Sequence, residues 1–291
     1  MARSTTGSAA GGRPSGRPVA GGLAGVLAGP WRAFGRDRGL TGQLAWRDII
    51  GRYRGANFGL FWSLIGPLMM LAIYALAFGH IFGSRWVRPE GEAPSFAIVL
   101  FLGIIVHGFF AECVSRAPGL MQSNANYVKK VIFPLAVLPW SVVWSALFHM
   151  GMNLLVFTLL AGLGYGIFSP YIVLLPLVIA PLVMLTIGVT WIIASLGVYL
   201  RDIGQAIPVV VTGMFFLSSA IIPIEQVPEK YRLVFHLNPL TFFIDQARNV
   251  ALWQVMPDWS GLAAWAVGGL VAMYAGYAWF QRTSRGFADV L

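Results

Sequence analysis

Residues 171–200 read YIVLLPLVIAPLVMLTIGVTWIIASLGVYL, with no charged side chain from Tyr171 to Leu200. About 20 apolar residues, each rising about 1.5 Å, cross the hydrocarbon core of a bilayer, so this run reads as a membrane-spanning helix. Pro176 and Pro181 predict kinks within it. The chain around it has the same character. Of 291 residues, 57% are hydrophobic and 11% charged, and the mean hydropathy is +0.73. A soluble domain carries about a quarter of its residues as charges. A chain this poor in charge has lipid as its solvent over much of its length, and in lipid only helices and closed barrels satisfy the backbone. Cys113 is the single cysteine, which excludes a disulfide framework. His80, His107, His149 and His236 are too scattered to form a metal set by spacing.

Working outward, five further runs are long enough to cross: 58–82, 95–114, 135–168, 207–224 and 261–280. The stretch 231–255 is apolar but broken by Asn238-Pro239, and it carries Asp245 and Arg248. It reads as two short half-helices dipping into the outer leaflet, with an exposed loop as the alternative. Residues 40–57 mix Leu44, Ile49, Ile50 and Tyr53 with Arg47, Asp48, Arg52 and Arg54. Positions 46, 49, 50 and 53 share one side of a helix, which predicts an amphipathic helix lying in the interface or docked on a partner. Residues 1–39 are rich in Gly, Ala, Ser, Pro and Arg and read as a disordered cytoplasmic tail. The expected organisation is therefore a tail (1–39), an amphipathic gate helix (40–57), a membrane domain (58–280) and a cytoplasmic C-terminal tail (281–291). The fold class is an all-α membrane protein with six transmembrane helices and a re-entrant pair before the last.

The formal net charge is +9. Its distribution argues against nucleic acid, because the basic residues gather near the N-terminus and at loop ends, where anionic headgroups lie. With the N-terminus inside, fifteen of the twenty Lys and Arg fall on the inner side and five outside, which predicts both termini cytoplasmic. Arg outnumbers Lys seventeen to three, a bias of GC-rich bacterial genomes. That points to a multi-pass protein of a bacterial plasma membrane.

No G-x-x-x-x-G-K-[ST] occurs, so the chain has no phosphate-cradling loop of its own. No catalytic triad or carboxylate pair is assembled by spacing. The spans are poor in the buried carboxylates that ion-coupled transporters use. The chain therefore reads as a conduit and not an enzyme. His107 and His149 have no evident carboxylate partner and read as polar contacts between helices. Gly103, Ala97, Gly188 and Ser195 are small enough to let helices approach.

Four segments, in order, resemble the type-2 ABC permeases that export polysaccharide. They are Trp46-Arg47-Asp48 with Arg52-Tyr53-Arg54-Gly55 and Gly59 to Leu64; Asn126 to Pro134; Tyr199-Leu200-Arg201-Asp202-Ile203; and Val227-Pro228-Glu229 through Asn238-Pro239-Leu240. The chain has Ile65-Gly66 before Pro67, where the family pattern has a polar residue. The resemblance implies a homodimer working with two copies of a separate ABC ATPase, which would hold the ATP and Mg. It also implies a lipid-linked glycan of O-antigen, teichoic acid, capsule or galactan type as cargo. The loop holding Asn124, Asn126, Tyr127, Lys129, Lys130 and Phe133 would seat in the ATPase, with the asparagines as caps and Phe133 as an apolar plug; an ordinary basic loop is the plain alternative. Arg47, Arg52 and Arg54 would hold the polyprenyl diphosphate, as against general headgroup attraction. Phe61, Trp62, Tyr74, Phe78, Phe109, Phe110, Phe215 and Phe216 are the aromatics expected along a sugar path, Trp62 and Tyr74 foremost. A drug-exporting permease of the same architecture, or a membrane enzyme or assembly factor, are the competing readings.

Overall fold

The computed structural model describes residues 29–33, 35, 37–81, 95–129 and 133–291. All regular structure among them is helical. The principal elements are α1 (Arg38–Tyr53), α2 (Trp62–Tyr74, entered through a 3-10 turn at Gly59–Phe61 and continued by a π-helical stretch, Ala75–Ile81), α3 (Phe96–Arg116), α4 (Leu120–Ser123), α5 (Ala125–Val128) and α6 (Val137–Tyr165). They are followed by α7 (Leu175–Tyr199), α8 (Ile203–Phe216), α9 (Glu229–Leu237), α10 (Pro239–Ala251), α11 (Trp259–Thr283) and α12 (Phe287–Val290).

Among the described residues, five helical stretches are long and apolar enough to cross a membrane: Gly59–Ala77, Phe96–Arg116, Val137–Tyr165, Pro170–Tyr199 and Trp259–Val290. They coincide with five of the six expected runs. The remaining run, 207–224, differs. Its helix α8 has 14 residues and stops at Phe216. The stop is built from hydrogen bonds that hydropathy does not register. Ser218 Oγ donates to the Phe215 carbonyl (2.8 Å), and the Asn238 side-chain amide donates to the carbonyls of Met214 (2.7 Å) and Leu217 (2.9 Å). With its last carbonyls satisfied, α8 ends inside apolar sequence. Asn238 also caps α10 through its Oδ1, with Pro239 in the first turn where no N–H is needed. The expected break at Asn238-Pro239 is thus the α9–α10 junction.

The core is organised around α3, in which Ala97, Ile98, Val99 and Leu102 are fully buried. Helices α2, α6, α7, α8 and α10 surround it. On the far side, α7 and α11 cross with almost no side chain between them. A Cβ added at Gly276 would lie 2.2 Å from the Gly188 carbonyl oxygen, and one at Gly188 would lie 2.3 Å from that of Ala272. Trp191 sits above this crossing, edge-on to Trp140 (6.0 Å) and Tyr277 (5.3 Å). The hydroxyls of Thr186, Thr190 and Ser195 bond back to carbonyls four residues earlier, so α7 carries them with no polar group left over. Helix α6 ends at Gly166, whose φ of +66° needs no Cβ, and Ile167 N–H reaches back to the Ala161 carbonyl (2.9 Å).

Two expectations are corrected here. Residues 1–28 lie outside the described residues, but within the expected tail Gly29, Pro30 and Trp31 are anchored. Gly29 and Pro30 are buried, the Pro30 carbonyl accepts from Trp140 Nε1 (3.0 Å), and Trp31 Nε1 donates to the Tyr274 hydroxyl (2.9 Å). The apolar face of α1 is also split. Leu44, Ala45 and Ile49 are buried, while Trp46 (53% exposed) and Ile50 (44%) point outward. Helix α1 packs along α6, and its tryptophan side stays exposed.

Candidate functional site

The charged side chains of α1 do not stand free. From the carboxyl-terminal turn of α1, Arg52 Nη2 meets Glu112 Oε1 of α3 at 2.5 Å. His149 of α6 places Nδ1 at 3.1 and 3.2 Å from the two oxygens of the same carboxylate. Arg116, one turn beyond Glu112, reaches it at 3.4 Å and meets Asp48 of α1 at 2.5 Å. Three helices are therefore pinned together by two carboxylates, two guanidiniums and an imidazole. Burial pushes the Asp48 carboxyl up, but the Arg116 guanidinium together with Ser145 and Arg52 outweighs that and holds it below its ordinary value. A depressed carboxylate stabilises the fold above its ordinary pKa, and that contribution is lost in acid as the pH falls through the lowered one.

Glu112 is the hub, and His149 has the carboxylate partner that spacing did not reveal. The two residues lie on different helices and 37 positions apart. Replacing Glu112 by Gln keeps the shape and removes the charge. Arg52 is 42% exposed, so solvent screens part of the loss, leaving about 1 kcal/mol. Amide hydrogen exchange across Ile49–Tyr53 should rise about fivefold; unchanged exchange would mean that apolar packing alone holds α1.

Two cavities flank this cluster. One, of roughly 270 Å³, lies between the end of α1, α2, α3 and α6, and is lined by Arg52, Glu112, His149 and Asn153 together with Trp62, Met70, Tyr74, Phe101 and Phe109. The other, of roughly 800 Å³, is a polar groove between α1, α4 and α6, lined by Arg47, Asp48, Arg52, Arg116, Ser123 and Asn124. Arg52 lines both. Of the expected diphosphate residues, Arg47 and Arg52 therefore share the groove. Arg54 caps the end of α1, exposed and outside both cavities. Arg116 is the guanidinium that the linear reading counted only as loop charge.

The aromatics separate similarly. Trp62, Tyr74 and Phe109 line the smaller cavity. Phe110 is buried in the core at 4% exposure and lines neither cavity. Phe61 and Phe216 are exposed (69% and 61%), and Phe215 is half-buried against His107 at 4.9 Å. The Phe78 side chain lies outside the described residues.

In the α3–α6 loop, Arg47 Nη1 donates to the Tyr127 hydroxyl (2.8 Å). Tyr127 stacks on Phe133 with centroids 4.6 Å apart. Phe133 thus packs within its own loop. Asn124 donates its side-chain amide back to the Leu120 carbonyl (2.9 Å) and makes no cap on α5. Asn126 sits within α5, exposed, and Lys129 is exposed. Lys130 lies outside the described residues.

The family described as ABC-2 type transporter matches residues 40–252. That range starts in the pinned helix α1 and runs through α10, so it takes in both cavities. The chain belongs to the ABC-2 type transporter family. Within this family it is similar to the O-antigen export system permease protein RfbA of Myxococcus xanthus, 26% identical over 255 residues, which span 87% of this chain and 95% of that protein. A Klebsiella pneumoniae protein of the same name is 23% identical over 246 residues (84% and 92%). The polysialic acid transport protein KpsM of Escherichia coli is 21% identical over 238 residues (81% and 90%). ABC-2 membership makes the chain a transporter subunit, and its apolar helices make it a multi-pass membrane protein.

Proposed function

We propose that this ABC-2 permease moves a polyprenyl-diphosphate-linked polysaccharide from the cytoplasmic to the outer side of a bacterial plasma membrane. It does so as a homodimer driven by two copies of a separate ATPase. The observation that carries the reading is similarity to O-antigen export permeases along nearly their whole length, joined to a groove beside α1 that gathers Arg47, Arg52 and Arg116. Guanidiniums suit a diphosphate because their fork matches paired oxygens.

In this reading α1, the α4–α5 loop and both termini face the cytoplasm. Helix α8 with the turn after it completes a sixth crossing, and α9 and α10 form the re-entrant pair. The exposed apolar faces of α2 (Met69, Ile73, Leu76) and α8 (Val209, Val210) meet the second copy across the path. The α4–α5 loop seats on the ATPase, and its motion reaches α1 through the Arg47–Tyr127 contact.

The test is reconstitution with a candidate ATPase in vesicles and a defined lipid-linked glycan. Glycan should move only with ATP, and Arg47→Gln and Arg52→Gln should each slow it severalfold with membrane insertion intact. Movement with the ATPase absent would sink the exporter reading. Unchanged rates in both variants would remove the arginines from diphosphate binding. ATP-driven export of a small amphiphile with no glycan movement would favour a drug permease.

A further inference from the structure

We infer that an apolar groove on the exposed side of α1 and α6 holds one anionic phospholipid of the cytoplasmic leaflet. Its phosphate sits on Arg38, and an acyl chain lies along Trp46, Trp144 and Phe148. The inference rests on the exporter reading only for its orientation, with α1 on the cytoplasmic side, and takes nothing from its cargo.

Three observations carry it. The first is the lining. The groove encloses roughly 610 Å³ and shares no residue with the two cavities described above. Helix α1 lines it from Arg38 to Ile49, and α6 adds Trp144, Leu147 and Phe148. The Thr41 hydroxyl is turned back to the Asp37 carbonyl (2.9 Å), so the wall is apolar apart from Arg38 and the two indoles. Trp46 and Trp144 are both exposed, and tryptophan is the residue that favours the boundary between headgroup and hydrocarbon. The second is the single charge. Arg38 is exposed, and its guanidinium takes part in no ion pair among the described residues. The neighbouring Asp37 lines a different cavity with Pro30 and Trp140. One guanidinium at the end of an apolar trough suits a phosphate that carries a chain. A diphosphate has the three gathered arginines of the other groove. The third is direction. Leu44 and Asp48 share the polar groove with Leu138, Ser141 and Val142, and further along Arg52 and His149 meet at Glu112. Helices α1 and α6 therefore run side by side in the same sense. As α6 climbs from the cytoplasmic side, Arg38 stands at the lower end of the groove and Ile49 with Phe148 at the deeper end. The eleven helical steps from Arg38 to Ile49 span about 16 Å, comparable to the depth of one leaflet. An inner-leaflet phospholipid has the same polarity, with its phosphate below and its chain above.

The full chain is purified in detergent with phosphatidylglycerol and phosphatidylcholine of equal chain length, and native mass spectrometry counts the lipids retained per chain. One phosphatidylglycerol should remain, preferred about tenfold over phosphatidylcholine, the worth of one charge-assisted hydrogen bond. Arg38→Gln should cut that preference to about twofold or less. Gly42→Leu should remove both lipids, because its side chain enters the groove. A Cβ at Gly42 meets nothing within 4 Å, so α1 accepts the change. Both positions are exposed, and neither variant disturbs the core. Retention undiminished in both variants would mean general surface adhesion and would overturn the site. Release of phosphatidylglycerol by farnesyl diphosphate would give the groove to the cargo lipid instead. Binding that appears only after removal of residues 1–28 would give it to that segment. An unchanged lipid count with a dimer lost in Gly42→Leu would give it to a second copy. The exporter reading is judged separately, by ATP-driven glycan movement in vesicles, and survives any of those results.

Discussion

Arg248→Ala is expected to leave little monodisperse protein after detergent extraction. The guanidinium is 1% exposed and makes four hydrogen bonds to backbone carbonyls. Nη1 reaches Ser219 at 2.6 Å, Nη2 reaches Ala220 at 2.8 Å and Val99 at 3.0 Å, and Nε also reaches Val99 at 3.3 Å. These carbonyls belong to the start of α3 and to the turn after α8, so one side chain of α10 ties three segments together. Gly103 makes the space, since a Cβ there would lie 2.9 Å from Nη2. Truncation strands the buried Ser219 and Ala220 carbonyls, which lie in a turn, and leaves Asp245, 3.7 Å away, without its cation. Losing one partner of a buried charged network costs about 3–5 kcal/mol. Arg248→Lys restores the charge but not the fork, and should fall between wild type and alanine. Thermal unfolding followed by fluorescence-detected size exclusion would read the order. An alanine variant melting within a few degrees of wild type would show that the tie contributes little.

Gly276→Val should be comparably damaging for a different reason. The obstacle is backbone, because the Gly188 carbonyl stands where the new Cβ would go. Backbone cannot swing aside as a side chain does, so α11 must move off α7. That loosens the fully buried Met273 and the Trp191–Tyr277 contact. Overpacking alone costs about 1–3 kcal/mol, and lost contacts at this crossing bring the expected total to about 4 kcal/mol. Gly268→Ala is the matched control, since its Cβ would meet nothing within 4 Å. The same melting assay should separate the two variants clearly, and equal melting would mean that the crossing can relax.

What was legible in the sequence was whatever depends on one stretch at a time. Runs such as 171–200 announce themselves because lipid sets a length and forbids charge. The Asn238-Pro239 break was legible because proline takes the first turn of a helix. The end of α8 was not, because the residue that satisfies its last carbonyls, Asn238, is more than twenty positions downstream. The face of α1 was misread for a related reason. A helical wheel groups Trp46 with Ile49, but only the shape of α6 decides which of them is covered. In the site, Arg47 and Arg52 were visible as charge at an interface. Glu112 with His149, and Gly188 with Gly276, are pairs made by the fold between distant helices, and no local spacing encodes them.

The two arginines of α1 also set a mechanical constraint. Arg47 grips the loop at Tyr127, Arg52 grips the pocket wall at Glu112, and they stand five residue steps apart on continuous helix, about 7.5 Å along the axis. A helix that short does not stretch or shear. Any pull delivered at the tyrosine must therefore either shift the carboxylate or snap one of the two grips. The loop and the wall of the cavity are in this way geared together through one rigid rod.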